Sequence, residues 1–262
     1  SPHTDIKFGF YTILLSECKC EAYAYGHQCC DFSDGTLVCL TPGESISMKG
    51  NNKEFPSKGW ILAFHPDLIC GTPLGLNIHN YTFFSYCPEE ALHLSLREKQ
   101  IILEFLERIR QELERCIDRH SKKIISKYIE LLLDYCTRFY ERQFITRSEV
   151  NKKVFREFNH LLDNHFNVKV SLSTDVLSDE YCANLLHLSP AYFNDLLKYE
   201  IGKEFKEYIQ FKRFEIAKGW LVNTDKTLGQ IAQELGFSNS QYFSRLFKKI
   251  TGCSPNEFRM PN

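Results

Sequence analysis

The 262-residue sequence lacks the local patterns that mark membrane proteins and many enzyme classes. No apolar run reaches the roughly eighteen residues that a membrane-spanning helix requires, and nothing in the chain has the pattern of a secretory signal. A glycine-rich phosphate loop, a pair of histidines at positions i and i+4 and a Gly-x-Ser-x-Gly turn are also missing. We therefore expect no membrane partner, no cofactor and no catalytic activity.

The sequence has almost no net charge, since 32 Lys and Arg face 33 Asp and Glu. The distribution of these charges is uneven. Residues 1–92 hold 5 basic and 10 acidic side chains, whereas residues 205–262 hold 9 basic and 5 acidic ones. The C-terminal end is thus mildly basic, as phosphate contact requires, but the excess is small for a protein that binds DNA tightly without sequence choice.

Cys-x-x-Cys spacing is absent although the chain has eleven cysteines. The odd number and the missing signal pattern favour reduced thiols in the cytoplasm. The tightest cluster joins Cys18 and Cys20 with the adjacent pair Cys29 and Cys30. A metal site is one interpretation of this cluster. Core packing on one face of a strand explains Cys18 and Cys20 equally well, so we expect no metal.

Residues 1–92 have the pattern of β-structure, because short aromatic and β-branched runs alternate with turns rich in Gly, Pro, Asn or Asp. Many short strands at this spacing predict a small barrel or sandwich. A small closed barrel can hold one ligand at its mouth, and the acidity of this region favours a neutral or cationic effector there. The predicted strands are residues 8–15, 20–25, 36–40, 46–48 and 60–64.

The periodicity becomes helical at Ser95. Ser95 and Glu98 have the spacing of a capping box, and apolar residues then recur on one helical face. Residues 118–120 form a short connection to a second helix with its own apolar stripe. We expect an antiparallel hairpin in which one apolar stripe covers the barrel. Apolar surface that remains uncovered would face a second subunit. Residues 95–144 are thus predicted to form a homodimer interface, unless both stripes serve only the intramolecular core.

The last eighty or so residues carry one helical pattern twice, after a polar segment at 146–151 that is the predicted domain boundary. A Tyr-Phe pair, a Leu, a Lys and a Gly recur fifty residues apart, and the preceding helix recurs forty-nine apart, so the second turn is one residue longer. A short helix, a tight turn and a second helix, used twice, suit two successive major grooves of DNA. The alternative is a pair of packed helical hairpins, although two copies are too few for a solenoid.

The second copy carries a long signature. Its segments are Ile231-Ala232-x-x-Leu235-Gly236-Phe237, then residues 242–249 (Tyr-Phe-Ser-Arg-Leu-Phe-Lys-Lys), then Gly252-x-x-Pro255-x-x-Phe258-Arg259. Together they resemble the DNA-binding domain of the AraC/XylS family of transcription regulators. The first copy matches more loosely, through Ala183, Leu186, Ser189, Pro190, Gly202, Tyr208, Arg213 and Ala217. Segments 64–68, 81–86 and 91–95 are similar to Bacteroides-type members of the family, which have a cupin-like sensor barrel.

The resemblance implies an α+β chain with two domains. Residues 1–145 would form a cupin-like β-barrel with a helical hairpin, and residues 150–262 an all-α domain with two helix-turn-helix motifs. A central helix would hold the two recognition helices roughly 34 Å apart, in successive grooves of double-stranded DNA. The DNA-contacting residues that it implies are Ala191, Asn194 and Asp195 in the first helix and Ser240, Gln241, Ser244 and Arg245 in the second, with Lys198 and Lys248 at phosphates.

The chemistry of most of these positions agrees with base contact in both copies. Arg245 suits guanine, Asn194 or Gln241 suits adenine, and Ala191 can touch a thymine methyl. Asp195 departs from the basic or amide residue that the family often has there. It could read a cytosine, pair with a neighbour such as Lys198 or Asn194, or mark a copy that binds weakly. We expect the third case, in which the second copy supplies most of the affinity.

Aromatic and leucine residues beside the turns could instead stack on bases, but their helical spacing predicts core positions. They are Tyr192, Phe193, Leu196, Leu197, Tyr242, Phe243, Leu246 and Phe247.

The sequence thus predicts a cytoplasmic, effector-responsive transcription regulator that acts as a homodimer and contacts RNA polymerase. One alternative is a protein-interaction module with weak DNA affinity. A metal-dependent cupin enzyme is the other. It would need a close His-x-His pair on the strands, whereas His27 and His65 are isolated and His79 and His93 lie outside the predicted strands.

Overall fold

A computed structural model describes residues 6–7, 9–17, 26–46, 58–167 and 177–260 of the chain. The chain divides into two compact units, Ser1–Asn151 and Lys152–Asn262. None of the helices in the described ranges is both long enough and apolar enough to cross a membrane.

The first unit contains a four-stranded antiparallel sheet in the order β5-β2-β3-β6, and β1 pairs separately with β4. The two central strands supply the core of the sheet, because every residue of β3 is buried and β2 is buried from its second residue onward. The strands are β1 (Ile6–Lys7), β2 (Tyr11–Ser16), β3 (Gly35–Leu40), β4 (Ser45–Ile46), β5 (Gly59–Phe64) and β6 (Leu92–Leu94).

Strands were expected at 36–40 and 60–64, and β3 and β5 confirm them to within one residue. The strand predicted at 8–15 begins later, at Tyr11, and the one predicted at 46–48 overlaps β4 at Ile46. The strand predicted at 20–25 lies outside the described residues. Closure of this sheet into a cupin-like barrel remains a prediction.

The expectation of β-structure throughout residues 1–92 is wrong for residues 66–90, which form short helices. Proline at the first helical position starts three of these elements, because its fixed φ suits a helix start and its missing N–H is not needed there. The helices are too short to show a helical period in the sequence. They are α1 (Pro66–Ile69), α2 (Pro73–Asn77) and 3-10 helices at Ile78–Asn80, Thr82–Ser85 and Pro88–Glu90.

The predicted helical hairpin is present as α3 (Leu96–Leu113) and α4 (Ser121–Thr146). The capping box is confirmed, since Glu98 N donates to Ser95 Oγ at 3.3 Å and Ser95 N donates to Glu98 Oε2 at 2.9 Å. Arg142 of α4 reaches the same carboxylate at 2.8 Å and ties the second helix to the start of the first.

A buried glutamine joins α4 to β6. Gln143 is 1% exposed, its Nε2 donates to Ala91 O at 3.0 Å, and its Oε1 accepts from His93 N at 2.8 Å. The side chain therefore completes the backbone hydrogen bonding of a strand edge that would otherwise be buried without partners. His93 itself lies on β6, so its predicted place outside the strands is wrong.

The described residues of the second unit form helices joined by short turns, with no strand among them. Helix α5 (Ser148–Asn167) begins in the first unit and continues into the second. One core cluster then joins α5 to the later helices through fully buried Phe158, Phe193, Phe214 and Phe243. The remaining helices are α6 (Asp179–Leu185), α7 (Pro190–Ile201), α8 (Phe205–Asn223), α9 (Leu228–Glu234), α10 (Ser240–Thr251) and α11 (Pro255–Arg259).

Candidate nucleic-acid interface

Helices α6 and α7 form one pair and α9 and α10 form a second pair with the same local construction. Leu188 N donates to Ala183 O at 2.9 Å in the first turn, and Phe237 N donates to Ala232 O at 2.8 Å at the matching place in the second. These bonds lie forty-nine residues apart, whereas α7 and α10 start fifty apart, which confirms the longer second turn.

The second helix of each pair is capped in the same way. Ser189 Oγ accepts from Tyr192 N at 3.2 Å, and the Asn239 side chain accepts from Tyr242 N at 2.7 Å. Both helices end at a glycine in the left-handed region, with φ of 66° at Gly202 and 84° at Gly252. A residue without Cβ adopts this φ at little cost, so the recurring glycines have a defined role.

Most of the aromatic and leucine residues beside the turns lie in the core, as expected. Tyr192, Phe193, Leu196, Leu197, Phe243 and Phe247 are buried, and Leu246 packs against the core. The prediction is wrong for Tyr242, which is 39% exposed. Arg245 lies one turn further along α10, and its guanidinium carbon is 5.6 Å from the centroid of the Tyr242 ring. Tyr242 thus supports the side chain of Arg245 on the surface.

Helix α10 presents three of its five predicted contact side chains to solvent. Gln241, Arg245 and Lys248 are exposed. Ser240 and Ser244 are half-buried, and Ser244 Oγ donates to Ser240 O at 2.8 Å, which leaves its lone pairs as acceptors. One face of α10 therefore combines an arginine, an amide and a lysine, which are side chains that hydrogen-bond to base edges and phosphates.

Helix α7 uses its predicted contact residues differently. Asn194 is half-buried, and its Nδ2 donates to Asp179 Oδ2 and to Pro190 O, both at 3.0 Å. Both amide hydrogens are thereby engaged within the helix pair, so a bidentate adenine contact would require these bonds to break. Lys198 Nζ lies 3.1 Å from Glu204 Oε1. The first helix pair thus partly neutralises or occupies the side chains that were expected to reach DNA.

Two other predicted positions of α7, Ala191 and Asp195, are half-buried. Their contact with DNA remains a prediction.

Known proteins match this part of the chain. The helix-turn-helix domain family matches residues 182–260, which run from within α6 through α11 and so cover the second helix pair and most of the first. The arabinose operon regulatory protein of Salmonella typhimurium is 32% identical over 101 residues, which are 38% of this chain and 32% of that protein.

Residues 182–260 form an AraC-type helix-turn-helix domain.

Two further relatives are transcriptional regulators of the helix-turn-helix type. YtdP of Bacillus subtilis is 33% identical over 111 residues, which are 42% of this chain and only 14% of that protein. YijO of Escherichia coli is 24% identical over 225 residues, which are 86% of this chain and 76% of that protein. The chain thus spans a minor part of YtdP and of the arabinose regulator.

Helix α7 has side-chain contacts that the sequence did not predict. Asp179 accepts a hydrogen bond from the amide of Asn194, fifteen residues further along the chain, and fixes its orientation. Glu204 plays a similar part for Lys198. The first contact joins α6 to α7, and the second joins α7 to the residue before α8, so no helical period marks them. The Tyr242 and Arg245 contact could have been found, because residues three apart on a helix are neighbours.

Outside the AraC-type domain, the two other site interpretations were a metal centre and a cupin active site. Within the described ranges no three His, Cys, Asp or Glu side chains lie close enough together to hold a metal ion. Cys18 and Cys20 lie outside those ranges. His27 was expected to be isolated, but its ring centroid lies 5.0 Å from that of His93. The sequence did not predict this pair, because it did not predict β6, the strand that carries His93.

Proposed function

We propose that the chain is a non-enzymatic, sequence-specific DNA-binding transcription regulator that inserts α7 and α10 into successive major grooves. The observation that carries this proposal is the repeated helix pair, with matching turns and caps, on either side of α8. Nineteen residues make α8 about 28 Å long at ~1.5 Å per residue, which is comparable to the ~34 Å repeat of DNA.

The second helix pair supplies most of the affinity in this proposal. Arg245 and Gln241 are exposed on α10, whereas the Asn194 amide and the Lys198 ammonium of α7 already have partners. DNA contact through these side chains would first break their contacts within the protein, which costs free energy. Helix α7 therefore contributes less binding free energy than α10. The contact roles of Ala191, Asn194, Asp195, Lys198, Ser240, Gln241, Ser244, Arg245 and Lys248 belong to this proposal.

Residues 1–145 act as a cupin-like sensor domain in the proposed regulator, and the hairpin of α3 and α4 forms a homodimer. Three apolar residues support the dimer, because Ile124, Leu131 and Ile145 are 37%, 44% and 60% exposed and are separated along α4 by multiples of seven residues. That spacing puts them on one helical face. A small-molecule effector bound in this domain, and a contact with RNA polymerase, complete the proposed regulator.

Fluorescence anisotropy with genomic DNA fragments selected by the full chain tests the function. We expect binding that resists an excess of unrelated competitor DNA and that weakens as the salt concentration rises. Equal affinity for all duplexes at low salt would contradict the proposal. If no selected fragment binds while a partner protein co-purifies with the chain, the helical domain is a protein-interaction module instead.

A further inference from the structure

A cavity of about 510 Å³ opens on the helical side of the first unit. Its walls are the loop between α1 and α2, the end of the connection between α3 and α4, and the first two turns of α4. Pockets of this size hold small molecules. No strand contributes to its lining, so this cavity is distinct from the barrel mouth where the sequence placed an effector.

Four cationic side chains line this cavity, and none of its lining residues is acidic. They are Arg119 in the connection and Lys122, Lys123 and Lys127 on α4, and all four are exposed. No carboxylate among the described residues pairs with them. A concave surface that carries one sign of charge raises the local concentration of ions of the opposite sign.

The start of the adjacent helix has an acid of its own. Helix α4 begins at Ser121, and the partial positive charge of its N-terminal end is met by Asp118 just before it. The nearby acid, Asp118, does not line the cavity, since its Oδ1 accepts from His120 N at 2.7 Å and from Ser121 N at 3.0 Å. These hydrogen bonds lower the pKa of Asp118 and direct its charge at the backbone.

Two hydroxyl groups hold the opposite wall in place. Ser126 Oγ of α4 lies 3.0 Å from Thr72 Oγ1, which donates to Ile69 O at 2.6 Å and accepts from Gly75 N at 3.3 Å. The loop between α1 and α2 is thereby fixed against α4. The cavity thus combines a wall fixed by hydrogen bonds with exposed cationic side chains.

We propose that this cavity binds a small molecule that carries two phosphate groups. Four positive charges exceed what one phosphate dianion neutralises, and they suit the roughly three to four negative charges of a diphosphate or bisphosphate near neutral pH. Lysine and arginine bind phosphate through charge-assisted hydrogen bonds. The volume leaves room for an organic group beside the phosphates. This ligand is an anion, in contrast to the neutral or cationic effector that the acidity of residues 1–92 suggested.

Isothermal titration calorimetry of the full chain with sodium pyrophosphate, at constant ionic strength, tests the proposal. The variant Lys123→Gln with Lys127→Gln removes two of the four charges. The matched control is Lys153→Gln with Arg156→Gln, which removes two exposed charges from α5. We expect the Kd for pyrophosphate to rise about tenfold or more in the first variant and to change less than about twofold in the control. Inorganic phosphate should bind about tenfold more weakly than pyrophosphate, because it makes fewer ionic contacts.

Absence of saturable pyrophosphate binding, or an equal loss in the control, would overturn the proposal. Equal affinity for inorganic phosphate would also contradict a ligand with two phosphates. If the cavity variant weakens binding to duplex DNA while pyrophosphate fails to bind, the cations serve nucleic acid instead. The titration with pyrophosphate needs no operator DNA, so its outcome is independent of the regulatory function proposed above.

Discussion

Arg147 Nη2 lies 2.6 Å from Asp31 Oδ2, and the two side chains are 6% and 0% exposed. Arg147 Nε also donates to Asp31 Oδ1 at 2.9 Å, so the contact is bidentate, and Nη2 donates further to Gly26 O at 3.2 Å. The arginine follows the last residue of α4, where the chain passes into α5. A buried ion pair thus fixes the segment after Gly26 to the end of the hairpin.

Asp31→Asn is expected to destabilise the first unit strongly. It leaves the buried guanidinium of Arg147 without a counter-charge, which costs about 3–5 kcal/mol in free energy of unfolding. Urea unfolding at neutral pH measures the change. Asp67→Asn is the matched control, because it removes the same charge from a side chain that is 89% exposed. A loss of similar size in both variants would mean that the buried pair has no special role.

The same pair predicts a pH dependence. Burial alone would raise the pKa of Asp31, but the hydrogen bonds and charge of Arg147 outweigh it and hold the pKa below its usual value. A carboxyl whose pKa is lower in the folded state stabilises fully above its unfolded pKa of about 3.9 and loses that contribution as the pH falls further. The stability gap between the native chain and Asp31→Asn should therefore be constant above about pH 5 and narrow below about pH 4. A gap that stays constant down to the acid-unfolding range would contradict this assignment.

Two glycine substitutions in the second unit are expected to have opposite signs. A Cβ at Gly252 or at Gly219 would meet no atom within 4 Å, so crowding plays no part in either variant. Gly252 has φ of 84°, and an L-residue there costs about 1–2 kcal/mol. Gly219 lies inside α8, where alanine stabilises the helix by about 0.5–1 kcal/mol. Thermal unfolding should thus show a lower Tm for Gly252→Ala and a higher Tm for Gly219→Ala; shifts of the same sign would refute the backbone argument.

Local signals explain why the helices of the second unit could be predicted from the sequence. Three helix boundaries have residues that suit a cap, namely Ser178 and Thr227 at helix starts and Gly252 at a helix end. The central helix between the two copies, which the resemblance implied, is present as α8. Each of these elements is long or strongly capped, and capping chemistry depends on residues that are close in the chain.

Contacts between distant segments explain what the sequence did not predict. Strand β6 has three residues and is set by pairing with β3 and by Gln143 on α4, fifty residues further along the chain from His93. The engagement of Asn194 by Asp179 and the basic cavity beside Thr72 likewise join elements far apart in sequence. No helical period or short motif encodes such pairs. The sequence therefore predicted contact residues on α7, but not that the amide hydrogens of Asn194 already have acceptors within the protein.

The proposed dimer predicts that Leu131→Lys yields monomers. Leu131 lies mid-way along the exposed apolar face of α4, and a lysine there would bury a charge at the interface, which is costly without a partner. Size-exclusion chromatography with light scattering measures the mass of each variant. Leu185→Lys is the matched control, because Leu185 is 46% exposed but lies outside the hairpin. A native chain that is monomeric at all concentrations, or a control that dissociates equally, would disprove an interface at this face.

Arg245→Ala is expected to weaken specific DNA binding more than Asn194→Ala. Loss of an exposed arginine that contacts a guanine costs about 1–3 kcal/mol, or about five- to 150-fold in Kd. The amide hydrogens of Asn194 already bind Asp179 and Pro190, so alanine there removes internal hydrogen bonds and lowers stability by about 0.5–1.5 kcal/mol instead. Anisotropy titrations with one selected fragment compare the two variants, and Arg156→Ala controls for the loss of one exposed charge. If Asn194→Ala weakens binding more than Arg245→Ala while the protein stays folded, α7 rather than α10 is the main reader of DNA.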